Sequence, residues 1–266
     1  MDLGLDGRVA MVPGGTRGLG KAVCRRLLQE GAAVAICSRK QENVAAAVAE
    51  LTALAGDAAR VFGQVADVTN PEAVQAFADA AQRHFGRIDI LVFSAGTHRR
   101  ATVNDLKRED LQHHLDEKVF GNFAMIRAVL PVMRAQQDGR IVNIVGQAAR
   151  HPHSDRLPSG TTNAAQAAMT KSLADALARQ NIRVNAVCPQ YIETELAATL
   201  IAKEMRDRGV DRATASAGFW RANVLKRMGT VEELADTVAF LVSDRATFIT
   251  GSSISVDGGY HRYPFG

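Results

Sequence analysis

Short runs of consecutive apolar residues alternate along this chain with longer segments whose apolar positions recur every three or four residues. The short runs fall at 8–12, 33–38, 60–65, 88–93, 140–145, 183–187 and 253–256. Being apolar at successive positions, they read as strands covered on both faces rather than as half-solvated ones. The intervening segments read as helices. One follows Arg39, and the next opens at Asn70 and Pro71 with Val74, Phe77, Ala81 and Phe85 on one face. A long helix is predicted over 107–135, where Leu111, Leu115, Val119, Phe123, Ile126, Leu130 and Met133 form a core-facing stripe. Another covers 161–179, with Met169, Leu173 and Leu177 on one side and four alanines allowing close packing elsewhere. Thr230 and Glu233 form a capping box before a helix over 231–242. Strand and helix alternating in this way predict an α/β fold, a parallel sheet with helices on both faces.

The segment 193–228 breaks the alternation. Leu196, Leu200, Ile201 and Met205 recur there at helical spacing, and Phe219 precedes the single Trp220. Two readings stand: a lid over the sheet's C-terminal edge, where open α/β sheets bind ligands, or a packed helical pair at the surface. With no repeat, low-complexity tract or linker, residues 1–266 read as one domain carrying this insertion.

Composition narrows the function classes. The chain has 266 residues, 47% of them hydrophobic, and no apolar run approaches the ~18 residues of a membrane span. Its opening, MDLGLDGR, lacks a basic and then apolar signal, so a cytoplasmic protein away from membranes is expected. Cys24, Cys37 and Cys188 lie far apart in apolar segments and read as buried free thiols, with no metal site. The net charge of +4 is spread over many helices, without a basic stripe interleaved with aromatics, which argues against nucleic-acid binding.

The stretch 11–20, MVPGGTRGLG, carries the first candidate chemistry. It leaves an apolar run and enters a helical one marked by Leu19, Val23 and Leu27, so it reads as strand, tight turn and helix start. Gly14, Gly18 and Gly20 let the backbone turn and come close to a ligand, and the helix's free N–H groups favour a phosphate. Taken alone, a glycine-rich turn with no ligand fits as well.

Further motifs decide between these. After that turn come Asp67 and Val68, Ser94-Ala95-Gly96 behind a strand, GRIVNI at 139–144, RVNAVCP at 183–189 and VDGG at 256–259. In this order they resemble the short-chain dehydrogenase/reductase family over nearly the whole chain. The resemblance implies a single-domain, doubly wound Rossmann-type sheet of about seven parallel strands, NAD(P), a small-molecule substrate and a homotetramer or homodimer. It also implies that Gly14, Thr16, Arg17, Gly18, Leu19 and Gly20 cradle the pyrophosphate. Asp67 and Val68 then flank the adenine, Ser94, Ala95 and Gly96 line the cofactor, and Pro189, Ile192 and Thr194 lie beside the nicotinamide.

Charge bears on the cofactor. Selectivity for NAD usually places an acid at the end of the second strand, whereas a 2′-phosphate needs cations. Here that strand ends in Ser38 and Arg39, and Arg17 sits inside the turn. Guanidinium groups bind two phosphate oxygens at once, so NADP is expected, with NAD as the alternative.

At the catalytic positions the chain departs from the family pattern. Resemblance to the flanking motifs puts Gly146 at the usual serine, Ser159 at the tyrosine, Asn163 at the lysine and Lys118 at the asparagine. Gly146 donates nothing from a side chain, and the Ser159 hydroxyl is too short and too weakly acidic to replace a phenol. The other two changes look reciprocal. Lys118 and Asn163 are expected to be swapped partners, keeping one cation and one amide beside the nicotinamide ribose. The competing view has Lys118 reaching solvent and Asn163 capping its helix. Candidate proton donors are Lys118 and, in the loop after the fifth strand, His151 and His153; Tyr191 is expected mainly to pack. Pro13 and Phe93 remove polar contacts near the turn. The leading reading is a carbonyl/alcohol oxidoreductase with a rearranged site, whose substrate Leu196, Leu200, Phe219 and Trp220 suggest is apolar. The alternatives are a catalytically silent nucleotide-binding sensor or partner subunit, and a non-redox enzyme on the same fold.

Overall fold

A computed structural model describes residues 1–97 and 100–262. Seven parallel strands form the sheet: β1 (Val9–Pro13), β2 (Ala33–Ser38), β3 (Val61–Val65), β4 (Ile90–Phe93), β5 (Gly139–Ile144), β6 (Ile182–Pro189) and β7 (Ser253–Val256). Their order is β3-β2-β1-β4-β5-β6-β7, the Rossmann-type arrangement expected from the alternating pattern. Neighbouring residues of one strand feed opposite core layers. Ala10 and Val12 of β1 join Val34, Ile36 and Val92 on one face, while Met11 joins Ala35, Leu91 and Phe93 on the other. Burial on both faces is why these strands read as unbroken apolar runs.

The helices are α1 (Gly18–Gln29), α2 (Gln41–Ala55), α3 (Pro71–Phe85), α4 (Arg108–Leu115), α5 (Gly121–Gln136), α6 (Leu157–Leu177), α7 (Glu195–Arg208), α8 (Arg212–Trp220) and α9 (Val231–Val242). Their starts follow the capping residues. The Asn70 side chain accepts from the Ala73 amide at 3.0 Å before α3, and Thr230 and Glu233 complete the capping box of α9. All three cysteines are buried and free.

Two expectations need correction. The long segment is not one α-helix: a π-helical turn, Asp116–Phe120, separates α4 from α5. One extra residue in a turn rotates everything beyond it by about 100°. The expected stripe therefore fails in its middle, where Phe123 is 43% exposed while Glu117, Asn122 and Met125 are buried. Helix α6 begins at Leu157, four residues before the expected start, because Pro158 suits a helix's first turn. Ser159 thereby falls inside α6, on the same helix as Asn163.

Between β6 and α9, helices α7 and α8 pack on each other around Ala197, Ile201, Ala215, Phe219 and Met228. Among the described residues, no helix is long and apolar enough to cross a membrane.

Candidate active site

In the sheet order, β1 and β4 lie side by side at the point where the crossovers reverse direction, which opens a crevice beyond their C-terminal ends. The glycine turn leaves β1 there. Gly14 has φ +81°, and a Cβ on it would lie 2.8 Å from the Ala95 amide nitrogen, so the turn sits directly on the backbone after β4. Gly18, at φ +53°, has nothing within 4 Å of where its Cβ would be and faces open space. No side chain caps α1, whose N-cap residue is Arg17. Its first-turn N–H groups are thus left for an anion, with Thr16 buried beneath and Gly20 on the inner side. Leu19 anchors the turn against the core.

At the residues expected to flank the adenine, Asp67 folds back to accept from the Thr69 amide at 2.9 Å and its hydroxyl at 2.8 Å, and the Val68 carbonyl lies against Gly121. Ser94 donates its amide to Pro13 at 3.1 Å, and Ser38 accepts from the Lys40 amide at 3.3 Å. Arg39, half exposed, reaches a carboxylate that the sequence reading missed. Its Nη1 is 3.2 Å from Glu117 Oε1, and Glu117 also accepts from the Thr97 amide at 3.1 Å and hydroxyl at 2.7 Å. In an uninterrupted α-helix Glu117 reads as an outward acid. The π turn brings it inside, to 3% exposure.

The next residue is Lys118. Its Nζ donates to Asn163 Oδ1 at 2.8 Å, the contact expected of swapped partners. Two glycines make room for the pair. A Cβ on Gly146 would lie 2.9 Å from Asn163 Nδ2, so the amide fills the space beside the missing serine side chain. A Cβ on Gly96 would lie 2.9 Å from Lys118 Cγ, so the lysine stem lies across the Ser94-Ala95-Gly96 segment. Burial disfavours the ammonium and lowers the Lys118 pKa to about 8, against the opposing pull of the Glu117 carboxylate. Ser159 is buried, and its Oγ has no hydrogen-bond partner among the described residues.

A buried polar seam braces the pair. Asn122, one turn beyond Lys118, donates to Asn143 Oδ1 of β5 at 3.0 Å, and Asn143 donates to Thr170 Oγ1 of α6 at 2.9 Å. Thr170 donates in turn to the Gln166 carbonyl at 2.8 Å. The seam locks α5, β5 and α6 together directly beneath Lys118 and Asn163. The only hint in the sequence was polar residues within otherwise apolar elements.

On the β6 side, Pro189 is buried at the strand end, Ile192 is buried and bridges to Gly229, and Thr194 caps α7 by accepting from the Ala197 amide at 3.2 Å. Tyr191 stacks edge-on against Phe219 with ring centroids 4.7 Å apart, and its hydroxyl accepts from both Arg100 and Arg156. The histidines go elsewhere. His151 pairs with His261 at 2.8 Å, and the largely exposed His153 pairs with Asp155 at 2.6 Å. A cleft of about 800 Å³ runs between the glycine turn and α7–α8, lined by Gly18, Lys21, Thr194, Trp220, Lys226 and Arg227 among others. It borders the uncapped start of α1; the Lys118–Asn163 pair is not among its walls. Of the four residues expected to favour an apolar ligand, only Trp220 lines it, while Phe219 is spent on the α7–α8 core.

A family model described as enoyl-(acyl carrier protein) reductase matches residues 14–261. The uncharacterized oxidoreductase YvrD of Bacillus subtilis (strain 168) is 32% identical over 266 residues, covering 98% of this chain and 99% of that protein. The chain belongs to the short-chain dehydrogenase/reductase family. Among other relatives of this family, the 3-oxoacyl-[acyl-carrier-protein] reductase FabG of Thermotoga maritima is 33% identical, covering 96% of this chain and 98% of that one. The crystal structure of L-sorbose reductase from Gluconobacter frateurii, complexed with NADPH and L-sorbose, superposes with a TM-score of 0.94 at 31% identity, covering 99% and 100%.

Proposed function

We propose that this chain is an NADP-dependent short-chain oxidoreductase acting on a carbonyl or alcohol, with Lys118 and Asn163 taking over the work of the family's usual catalytic residues. The observation that carries the reading is the 2.8 Å hydrogen bond from Lys118 Nζ to Asn163 Oδ1, made in the space left by Gly96 and Gly146. The residues present fit the dinucleotide: an uncapped α1, the open space at Gly18 and the Arg17 and Arg39 cations suit a pyrophosphate and a 2′-phosphate. NADPH in the L-sorbose reductase relative supports this choice. Bound there, NADP supplies hydride exchange with the substrate carbon. Lys118 holds the proton at Nζ, with a pKa near neutrality that suits acid–base work. Asn163, its Oδ1 taken by Lys118, offers the Nδ2 hydrogens to the substrate oxygen from the space at Gly146. Ser159 Oγ provides a further donor facing no protein partner among the described residues. The exposed Phe120 and Phe123 support contact between copies through α5, in a homotetramer or homodimer, which light scattering reads directly.

The test is a titration with NADPH and NADH by cofactor fluorescence, followed by a carbonyl panel read as NADPH oxidation. Binding with turnover that is lost in Lys118→Met supports the proposal. Binding with no turnover on any carbonyl favours instead a silent nucleotide-binding relative, and absence of binding overturns both.

A further inference from the structure

Three residues at the far end of α6 form a cationic corner that the redox reading does not use. Arg156 is the N-cap of α6, and Arg100 stands beside it through the bridge that pairs Ala101 with Arg156. Both guanidinium groups donate to the Tyr191 hydroxyl, and the Arg156 guanidinium carbon lies 5.3 Å from the centre of the Tyr191 ring. Among the described residues they share a single carboxylate: Asp155 is 3.5 Å from Arg100 and 3.7 Å from Arg156, ion pairs rather than hydrogen bonds, and it also takes His153 at 2.6 Å. Two cations thus face one carboxylate among the described residues, and the buried Arg156 Nε, 3.7 Å from Asp155, makes no hydrogen bond there. A phenol is a weak acceptor for two groups that bind carboxylate or phosphate oxygens in pairs.

Arg156, Ser159 and Asn163 are spaced by three and four residues, so they line one face of α6, leading from Arg156 to the Lys118–Asn163 pair. Tyr191 lies two residues beyond the end of β6 and is roofed by Phe219 of α8. Seven residues of helix separate the Cα atoms of Arg156 and Asn163 by about 10 Å. From this we infer that the substrate is an oxo or hydroxy acid. Its carboxylate or phosphate is held by Arg100 and Arg156 beside Tyr191, and its carbonyl, several bonds away, lies at Lys118 and Asn163. The inference rests on the redox reading for what happens at the carbonyl, but not for the anion site itself.

The test pairs a homologous series of unbranched oxo acids with their methyl esters in NADPH oxidation, and adds calorimetric titration of the NADPH complex with the saturated acid of best length and its ester. Charge-assisted hydrogen bonds predict an acid-over-ester preference of roughly tenfold to a hundredfold in kcat/KM, seen mainly in KM. Arg156→Gln reduces that preference at least tenfold. Arg100→Gln, on the more exposed partner, reduces it less and guards against a folding defect in the first variant. Equal use of acids and esters overturns the anion site while leaving the redox reading intact. Turnover of neither class overturns the redox reading, and the calorimetry then decides alone. Saturated acid bound in preference to its ester, with the preference lost in both variants, supports the site; no preference overturns it.

Discussion

At the N-terminal edge of the sheet, Asp89 is wholly buried and meets Arg87 at 2.7 and 2.8 Å, Arg8 at 3.4 Å and the Val9 amide at 2.9 Å. Asp138 and Asp244 complete the balance against Arg8 and Arg140. At the C-terminal edge, by contrast, Lys118 meets a neutral amide, Ser159 Oγ meets no partner among the described residues, and Arg100 and Arg156 converge on a phenol. Both edges have charged groups away from bulk water, but at the first three arginines, Arg8, Arg87 and Arg140, face three carboxylates, even though Arg140 Nε makes no hydrogen bond among the described residues. A matched cluster needs nothing further and serves the fold. A mismatched one is stable only because the rest of the chain holds it, and this is the expected mark of groups kept for a ligand.

The most disruptive way to probe the contrast is at the matched edge. Asp89→Ala strips the partner from Arg87, leaves Arg8 with Asp138 and Asp244 alone and orphans a strand amide, and breaking a buried pair costs about 3–5 kcal/mol. Urea unfolding should show that loss, while the fraction still folded binds cofactor as before. If the loss is under about 1 kcal/mol, this edge is not the structural one.

Lys118→Met should act the other way round. Removing an ammonium that burial disfavours and leaving an apolar stem of similar length is neutral or stabilising, by up to about 3 kcal/mol at neutral pH. Turnover, on the redox reading, falls roughly a hundredfold or more with the loss of a positioned acid. A variant that loses stability yet keeps its turnover would show Lys118 to be scaffolding.

Nearly all of the fold was legible in advance, and one physical reason accounts for most of the rest. Strands buried on both faces announce themselves as apolar runs, and Asn70, Pro71, Thr230 and Glu233 announce helix starts by satisfying backbone groups locally. The Lys118–Asn163 contact was legible because two departures from a family pattern complemented each other. Glu117 was not, since its burial depends on the π turn over Asp116–Phe120, and a periodicity of 3.6 has no means of showing one extra residue. The convergence of Arg100 and Arg156 on Tyr191 was equally hidden, because three loops distant in sequence supply it. Leu200 and Phe219 pack the α7–α8 pair, the use such residues more often have, and apolar residues that pack a helical pair look the same in sequence as those lining a ligand.

The pH response sharpens the contrast further. Since burial lowers the Lys118 pKa from 10.5 to about 8, the folded chain releases this proton before the unfolded chain does. The unfolded state therefore binds more protons between about pH 8 and 10.5, and this group makes stability rise with pH across that window. With Lys118 as the proposed acid, carbonyl reduction would need the protonated form, so its rate should fall about tenfold per unit above pH 8, while stability contributed by Lys118 rises. Lys118→Met should remove both slopes. Denaturation midpoints and initial rates over the same buffers measure the two together, and parallel slopes that survive the substitution would place the titrating group elsewhere.

The smallest expected effect lies at Arg39, where the two kinds of charge arrangement meet. Its guanidinium is half exposed and already 3.2 Å from the buried Glu117, so a 2′-phosphate must share a cation that the fold also uses. Arg39→Ala should weaken NADPH roughly tenfold, the lower end of what a charge-assisted contact contributes, and leave NADH unchanged. Glu117→Gln should do the reverse, because it frees Arg39 and removes a negative charge near the phosphate. It should also lower the Lys118 pKa, whose only upward pull among its neighbours is that carboxylate, and move the fall in rate to lower pH. Cofactor fluorescence titrations of the two variants separate these contributions. If Glu117→Gln shifts the rate profile without altering NADPH affinity, Glu117 acts on Lys118 alone and Arg39 is bound to it only as a structural pair. If it tightens NADPH without shifting the profile, the carboxylate belongs with the matched charges of the opposite edge, and the lysine is tuned by burial alone.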